Sequence, residues 1–236
     1  MERSAWLKEV RHSAEEEYTG DASRYDENWG ASIDPTHRGF IAKFLGLCPP
    51  EGIMLDAACG TGKYWSLILD RGRKVYGTDQ SQGMLARAHE KFPDVPFERI
   101  GLQELNHREV FDGAICMDAL ENVPPEDWLP VLTNLHRALK PDGYFYFTVE
   151  VASEKDIEHI YAEATRLGLP VIYGEWTHAG EYHYYPKIEQ VKEWLESVGF
   201  VVIEEKSAPF AEADSPLDEA AGYIGEGYSH ILAQKK

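Results

Sequence analysis

The feature that most constrains the fold is a short apolar run that leads into a glycine-containing turn and then into a helical pattern. The apolar run covers residues 53–57, the turn contains Gly60, and the helical pattern covers residues 62–69. Further short apolar segments alternate with helical patterns, which predicts βαβ units and a parallel sheet covered on both faces. We therefore predict a doubly wound α/β fold whose ligands bind at the carboxyl ends of the strands.

The other elements follow from hydrophobic periodicity and capping residues. Further helices are predicted at residues 4–18, 36–47, 81–92, 125–140, 153–168 and 188–198. Further strands are predicted at residues 74–78, 95–100, 111–117, 143–149, 200–205 and 228–233. The turn formers Thr19-Gly20-Asp21 are expected to end the first helix, and Ser81 is expected to cap the helix that it begins. The acidic segment 207–227 exceeds ordinary loop lengths, so it is either partly ordered or a functional flap.

Charge and composition exclude several classes of protein. The 236 residues carry 23 Lys and Arg against 41 Asp and Glu, a formal net charge of −18. Nucleic acid would be repelled by this field without a basic patch, and the sequence shows none. No apolar run is long enough to predict a membrane span, and no export-signal pattern is present. Because Cys48, Cys59 and Cys116 lack the spacing of a zinc site or a disulfide framework, a cytoplasmic protein is expected.

The turn after the first strand does not match the common phosphate-binding motifs. A dinucleotide motif that begins at Gly60 would need a third glycine where Trp65 stands, and a P-loop would need Ser or Thr where Tyr64 stands. Asp56, at the end of the strand, is a poor neighbour for a phosphate and a good one for an ammonium group. The pattern therefore favours a ligand that presents an amine at this turn.

A second carboxylate, Asp79, ends the next strand, 23 positions after Asp56. This spacing matches one βα unit, so we expect both acids at the same edge of neighbouring strands. Asp79 is predicted to accept two hydrogen bonds from a ribose diol. Gln80 follows on the turn, and Met84 is placed to pack on an adenine face.

Five motifs with strand spacing occur in order between residues 53 and 150. They are Asp56-Ala57-Ala58-Cys59-Gly60-Thr61-Gly62, Val75-x-Gly77-x-Asp79-x-Ser81-x-x-Met84-Leu85, Gly101-Leu102-Gln103-Glu104-Leu105, Phe111-Asp112-Gly113-Ala114-Ile115 and Leu135-x-x-Ala138-Leu139-Lys140-Pro141-Asp142-Gly143. In this order they resemble the motifs of class I S-adenosylmethionine-dependent methyltransferases of the small-molecule type. The resemblance implies a Rossmann-like, seven-stranded, mostly parallel sheet with an antiparallel last strand, and S-adenosyl-L-methionine as the cofactor.

The resemblance also implies how one domain is organised over residues 1–236. Residues 1–50 would form N-terminal helices and a lid, residues 51–150 the cofactor-binding core, and residues 151–236 the acceptor-binding insertion and the last two strands. Motifs and resemblance together give the predicted cofactor-binding residues Tyr18, Tyr25, Asp56, Ala58, Gly60, Gly62, Asp79, Gln80, Met84, Leu102, Gln103, Met117 and Asp118. Tyr18, Tyr25 and Trp29 are assigned to the lid; the alternative is that these rings only anchor the N-terminal helices.

Two positions depart from the pattern of the family. Ala58 stands where the family commonly has glycine, and Leu102 stands where an acidic residue often bonds the adenine amine. Adenine recognition is therefore expected to rest on the backbone of Leu102 and Gln103 or on the Gln103 side chain.

Acidic residues follow the fourth and fifth predicted strands. Asp118 falls directly at a strand end and is predicted to contact the cofactor. Glu121 and Glu150 are candidates for contact with the cofactor or the acceptor, with capping of a helix or ending of a strand as the alternatives.

An aromatic segment at residues 176–186 is predicted to bind the acceptor. In an extended conformation, Tyr182 and Tyr184 lie on one face and His183 and Tyr185 on the other. His183 or His178 is the first candidate to take a proton from the acceptor, with Glu121 and Glu150 next. The alternatives are a surface hairpin with exposed tyrosines and a less favoured metal site formed by His178, Glu181 and His183.

The activity that the resemblance implies is in-line transfer of a methyl group to O, N or S of a small-molecule acceptor. Such a transfer needs alignment of the reactants and exclusion of water more than covalent catalysis. The alternatives are a cofactor-binding protein without methyl transfer, in regulation or in an assembly, and an enzyme that modifies the cofactor itself. No nucleic acid or membrane partner is expected, and the sequence carries no signal for an oligomeric state.

Overall fold

The computed structural model describes residues 2–28, 33–178, 181–210 and 224–236. The strands are β1 (Ile53–Ala57), β2 (Lys74–Asp79), β3 (Phe97–Arg99), β4 (Phe111–Cys116), β5 (Leu139–Ala152), β6 (Glu175–His178), β7 (Glu181–Tyr184), β8 (Phe200–Pro209) and β9 (Gly225–Lys235). The α-helices are α1 (Arg3–Asn28), α2 (Pro35–Leu47), α3 (Trp65–Leu69), α4 (Gln82–Lys91), α5 (Pro125–Ala138), α6 (Glu154–Arg166) and α7 (Ile188–Val198), and a 3-10 turn spans Leu120–Asn122. Residues 211–223, most of the acidic segment, lie outside the described residues, as does Trp29.

Seven strands form one sheet in the order β3-β2-β1-β4-β5-β9-β8. Neighbouring strands from β3 to β5 are parallel, and β9 runs antiparallel to both β5 and β8. The predicted Rossmann-like, doubly wound sheet with an antiparallel last strand is therefore confirmed. The carboxyl ends of β1, β2, β4 and β5 lie side by side, which is where ligands of such sheets bind.

Helices bury both faces of the sheet. On one face, α5 presents Trp128, Leu132 and Leu135 to the sheet at helical spacing, and all three are fully or almost fully buried. α7 and the β6–β7 hairpin join the same apolar cluster. On the other face, Phe44 of α2 and Trp65 of α3 are completely buried with the side chains of α4. The two layers hold the strand ends in a fixed geometry.

Among the element boundaries that differ from the predictions are the starts of α3 and β5. The helix expected over residues 62–69 begins only at Trp65, since Gly60 and Gly62 have φ angles of 52° and 75° and belong to the preceding turn. β5 begins at Leu139 rather than at residue 143, directly after α5 ends at Ala138. Ser81 caps α4 as predicted, because its hydroxyl accepts a hydrogen bond from the Met84 N–H.

The first helix is longer than predicted. α1 continues through Thr19-Gly20-Asp21 to Asn28 instead of ending near Tyr18. Its second half packs on α4, where the Thr19 hydroxyl lies 2.9 Å from that of Ser81 and Ala22 is buried. Tertiary packing therefore outweighs the low helix propensity of the turn formers.

Ion pairs fix α1 at both ends. Near its start, the Arg3 guanidinium binds the carboxylates of Glu126 and Glu175. Near its end, the Asp26 carboxylate accepts hydrogen bonds from the Lys91 ammonium at 2.8 Å and from the Thr61 hydroxyl. α1 thereby lies across the carboxyl edge of the sheet.

Gly83 makes the close approach of α1 and α4 possible. A Cβ atom at Gly83 would lie 2.7 Å from the Thr19 carbonyl oxygen and 3.1 Å from the Ala22 Cβ. We expect Gly83→Ala to lower the free energy of unfolding by about 1–3 kcal/mol, although alanine favours helices, because the backbone of α1 must shift. Thermal or urea denaturation measures this change.

Gly39→Ala in α2 is the matched control, because a Cβ atom there meets no atom of the described residues within 4 Å apart from its own helix. That variant is expected to be neutral or more stable by up to about 1 kcal/mol. Equal stability changes in the two variants would contradict the proposed role of Gly83.

Candidate active site

The turn after β1 is fastened to the end of β2. The Gly60 N–H donates to Asp79 Oδ2 at 2.8 Å, and the Cys59 N–H donates to the Thr78 carbonyl at 2.9 Å. Ala58 has a φ of 58°, a conformation that favours glycine, which gives a physical reason for the glycine that the family commonly has there. The turn thus has a defined shape at the edge of the sheet.

Asp79 stands at the centre of this edge. Its other oxygen, Oδ1, accepts from the Ser81 N–H at 2.8 Å, and the side chain is 9% exposed. Burial raises the pKa of Asp79, although the backbone hydrogen bonds from Ser81 and Gly60 oppose this shift. The carboxylate therefore joins two segments of backbone and still reaches the cleft above them.

Asp56 is buried beside Asp79. Its Oδ2 accepts a hydrogen bond from Trp65 Nε1 at 2.8 Å. Burial, together with the negative charges of Asp79 and Asp118, raises the pKa of Asp56 to about 8. A positively charged ligand group nearby would favour the ionised form, which agrees with the predicted ammonium partner.

Gly62 was predicted to bind the cofactor, but it does not line the cleft. A Cβ atom at Gly62 would lie 2.8 Å from the Trp65 ring, and one at Gly77 would lie 2.5 Å from the same ring. The two glycines therefore make room for the indole that bonds Asp56. Trp65 fills the place where a dinucleotide-binding motif would have its third glycine.

The loop after β3 forms another wall of the cleft. The Asn134 side-chain amide donates to the carbonyl oxygens of Leu102 and Gln103 at 3.1 and 2.9 Å. The Gln103 side-chain amide donates to Asp127 Oδ2 at 3.2 Å. α5 thus fixes the loop whose backbone is predicted to recognise adenine.

These walls enclose one cleft at the carboxyl ends of β1, β2 and β4. With its opening to solvent included, the cleft contains about 910 Å³ of empty space. α1 contributes the rings of Tyr18 and Tyr25, whose centroids lie 6.5 Å apart. The predicted cofactor-binding residues that line the cleft are Tyr18, Tyr25, Asp56, Ala58, Gly60, Asp79, Gln80, Met84, Leu102, Gln103, Met117 and Asp118.

Asp118, directly after β4, is held by a network that the sequence did not indicate. Its carboxylate accepts from the Tyr64 hydroxyl at 2.6 Å and the Thr148 hydroxyl at 3.2 Å, and it lies 3.1 Å from His37 Nε2. Burial disfavours ionisation, but the charges of His37 and Lys63 and these hydrogen bonds outweigh it and lower the pKa of Asp118 to about 2. Asp118 is therefore a permanent negative charge in the cleft.

A second cluster lies beyond Asp118 at the ends of β5 and β7. His183 Nδ1 lies 2.6 Å from Glu150 Oε2, and Glu121 lies close enough to act electrostatically on both. Burial lowers the pKa of His183, but the charges of Glu150 and Glu121 outweigh it and raise the pKa. Burial and the charge of Glu150 raise the pKa of Glu121 to about 8, with His183 opposing the shift. Three predicted catalytic residues are thus brought together.

Successive side chains of β7, in the β6–β7 hairpin, point to opposite faces, as the alternation predicted. Tyr182 and Tyr184 are buried against Trp6 and Trp128 in the core, whereas His183 reaches Glu150. The alternative of a surface hairpin with exposed tyrosines is therefore wrong.

His178 was predicted as an alternative base, but it does not join the cluster. It is exposed at the end of β6, where its ring stacks on Trp176 at a centroid distance of 6.2 Å. Within the described ranges, no group of three or more His, Cys, Asp or Glu residues is arranged to hold a metal ion.

The order of the strands, and the cleft at their carboxyl ends, define a Rossmann-like α/β fold. Residues 54–143 match the family model of the methyltransferase domain. The crystal structure of 1,6-didemethyltoxoflavin-N1-methyltransferase from Burkholderia thailandensis superimposes with a TM-score of 0.70 at 17% identity, covering all of this chain and 91% of that one. Over this part of its sequence the chain is similar to methyltransferases.

Curated relatives are similar to part of the chain. The putative methyltransferase YqeM of Bacillus subtilis is 30% identical over 154 residues, which are 63% of this chain and 60% of that protein. A ubiquinone biosynthesis O-methyltransferase of Pseudomonas entomophila is 33% identical over 49% of this chain and 51% of that protein. A tRNA (carboxymethyluridine(34)-5-O)-methyltransferase of Arabidopsis thaliana is 31% identical over 49% of this chain and 28% of that protein. The chain covers less than two thirds of each of these relatives.

Among the helices of the described ranges, none is long and apolar enough to cross a membrane.

Proposed function

We propose that the chain transfers a methyl group from S-adenosylmethionine to O, N or S of a small-molecule acceptor. The observation that carries this proposal is the adjacency of two sites at one sheet edge: the cleft around Asp79, and the cluster of His183, Glu150 and Glu121. Asp118 lies between them, because it lines the cleft and its charge acts on Glu121. The family match and the methyltransferases among its relatives support the same activity.

The residues of the cleft fit this cofactor. Asp79 offers its carboxylate to a ribose diol, and the loop at Leu102 and Gln103 offers backbone groups to an adenine. The buried Asp56, whose pKa is raised, provides a negative partner for the ammonium of the methionyl part. The cofactor supplies an electrophilic methyl group on a sulfonium when bound.

Side chains of the protein would exclude water from the cleft and accept a proton from the acceptor. Tyr18 and Tyr25 on α1 cover the cleft and exclude water from it. Glu150 holds the His183 imidazole in one orientation and stabilises its protonated form. His183 is therefore our candidate to take the proton from the acceptor, and it keeps that proton beside Glu150.

A small-molecule acceptor fits the charge of the protein better than a nucleic acid. The net charge of −18 repels phosphates, although one relative is named a tRNA methyltransferase. Methylation of transcribed tRNA by the purified protein at low salt would contradict this part of the proposal.

The experiment that tests the activity combines the purified chain, S-adenosylmethionine with an isotopically labelled methyl group, and a metabolite extract of the source organism. We expect mass spectrometry to show S-adenosylhomocysteine and a labelled product that is one methyl group heavier than its precursor. Binding of the cofactor without either product would contradict methyl transfer and favour a cofactor-binding protein. A modified cofactor without S-adenosylhomocysteine would favour an enzyme that alters the cofactor.

A further inference from the structure

Three buried polar atoms around His183 have no hydrogen-bond partner within the part of the chain that the structure describes. They are Glu121 Oε2, Glu150 Oε1 and the Tyr185 hydroxyl, on side chains whose residues are 6%, 1% and 3% exposed. Leaving such groups unpaired in a protein interior is costly, and the cost is greater for a charged group. The three atoms therefore indicate a ligand that supplies hydrogen-bond donors.

The electrostatics of this cluster favour a bound cation. Two buried carboxylates, Glu121 and Glu150, share one imidazole, that of His183. The raised pKa of Glu121 is the result of burial and of the neighbouring negative charge of Glu150. The same two glutamates act on Tyr185, because burial and their negative charges raise the pKa of its hydroxyl. A cation placed among these groups would favour the ionised form of Glu121, whose pKa is raised to about 8 without it.

Further negative charge surrounds the cluster. Glu17 of α1 and Glu181 of β7 interact electrostatically with each other and with His183. An anionic acceptor would be repelled by carboxylates on these elements, whereas a cationic one would be attracted. Aromatic rings also contact His183: the centroids of Trp176 and Tyr185 lie 5.4 and 6.1 Å from that of the imidazole. Such rings bind ammonium groups favourably through their faces.

We infer that the methyl acceptor is a small molecule that carries a protonated amine, bound by Glu121 Oε2, Glu150 Oε1 and the Tyr185 hydroxyl. An alkylammonium has three N–H donors, which matches the three atoms without partners. An uncharged alcohol or thiol brings one donor and no positive charge to favour the ionised form of Glu121. This inference rests on the proposed methyl transfer and specifies the class of acceptor for it.

The experiment separates the metabolite extract of the source organism by cation exchange at neutral pH into a cationic and a non-cationic fraction. Each fraction is incubated with the full chain and S-adenosylmethionine labelled in its methyl group. We expect labelled product to form mainly from the cationic fraction. Labelled product from the non-cationic fraction alone would overturn the amine inference and leave methyl transfer intact. If neither fraction yields S-adenosylhomocysteine, the proposed function itself fails, and the amine inference with it.

Variants of the cluster then test the proposed contacts. They are assayed with the acceptor that yields the labelled product in the cationic fraction. We expect Glu121→Gln to raise the KM for that methyl acceptor by about tenfold to a hundredfold, with a smaller change in kcat, because one charged hydrogen-bond acceptor is lost. Cofactor affinity, measured by calorimetry, is expected to stay unchanged. The matched control is Glu158→Gln, which removes the same charge from an exposed position on α6. An equal KM in the two variants would overturn the assignment of Glu121 to the amine.

Discussion

Replacing Asp79 with alanine is expected to weaken the binding of S-adenosylmethionine by about a hundredfold or more. The carboxylate has two roles that the variant loses together: it is the predicted acceptor for the ribose hydroxyls, and it joins Gly60 and Ser81 through their N–H groups. Hydrogen bonds to a charged group contribute about 1.5–3 kcal/mol each, so two of them account for a loss of this size. Isothermal titration calorimetry with S-adenosylmethionine measures it directly.

Two further variants show whether the loss belongs to the ligand or to the fold. Asp79→Asn keeps the size of the side chain and one acceptor, so it should fold and still lose most of the affinity. Asp94→Ala, at an exposed position between α4 and β3, is the control and should bind like the unmodified protein. Unchanged affinity in a folded Asp79→Ala variant would remove the ribose assignment.

Replacing His183 with alanine is expected to lower kcat by about a hundredfold to ten-thousandfold, the usual contribution of a positioned general base. The imidazole is half-buried, its pKa is raised, and its Nδ1 lies 2.6 Å from Glu150 Oε2, whereas it does not line the cofactor cleft. Affinity for S-adenosylmethionine should therefore remain unchanged. Steady-state kinetics on the acceptor that the extract assay identifies, together with calorimetry for the cofactor, test both parts.

His178→Ala is the matched control, because it removes an exposed imidazole from the same hairpin. This variant is expected to keep its turnover. If both histidine variants lose turnover equally, or if the His183 variant loses cofactor affinity in parallel, the assignment of His183 as the base is wrong.

Sequence reasoning predicted the sheet and the edge where the site lies because both depend on local signals. Strands such as β1 are continuous apolar runs, and Asp56 and Asp79 end neighbouring strands one βα unit apart. The Ser81 cap is likewise a short-range pattern. Residues in the turn after a parallel strand lie at the carboxyl edge of the sheet. Their place can therefore be predicted from local sequence without knowledge of the rest of the fold.

Contacts between distant parts of the chain could not be predicted in this way. His37 and Tyr64 meet Asp118 across 81 and 54 positions of sequence, and neither histidine nor tyrosine belongs to a recognisable motif there. The role of Gly62 was mistaken for the same reason, since the packing of Trp65 decides it. The turn formers after Tyr18 likewise led to a predicted helix that was too short, because the local sequence does not show that α1 packs on α4.

The attachment of α1 at both ends has a consequence for how molecules enter and leave the cleft. A helix that is held at one end opens as a flap, but a helix that is held at both ends opens only after one attachment breaks. Arg3 meets two carboxylates, whereas the Asp26 carboxylate meets one ammonium and one hydroxyl. The attachment at Asp26 is therefore the weaker of the two. Because ions in solution screen such attachments, salt is expected to speed the exchange of ligands.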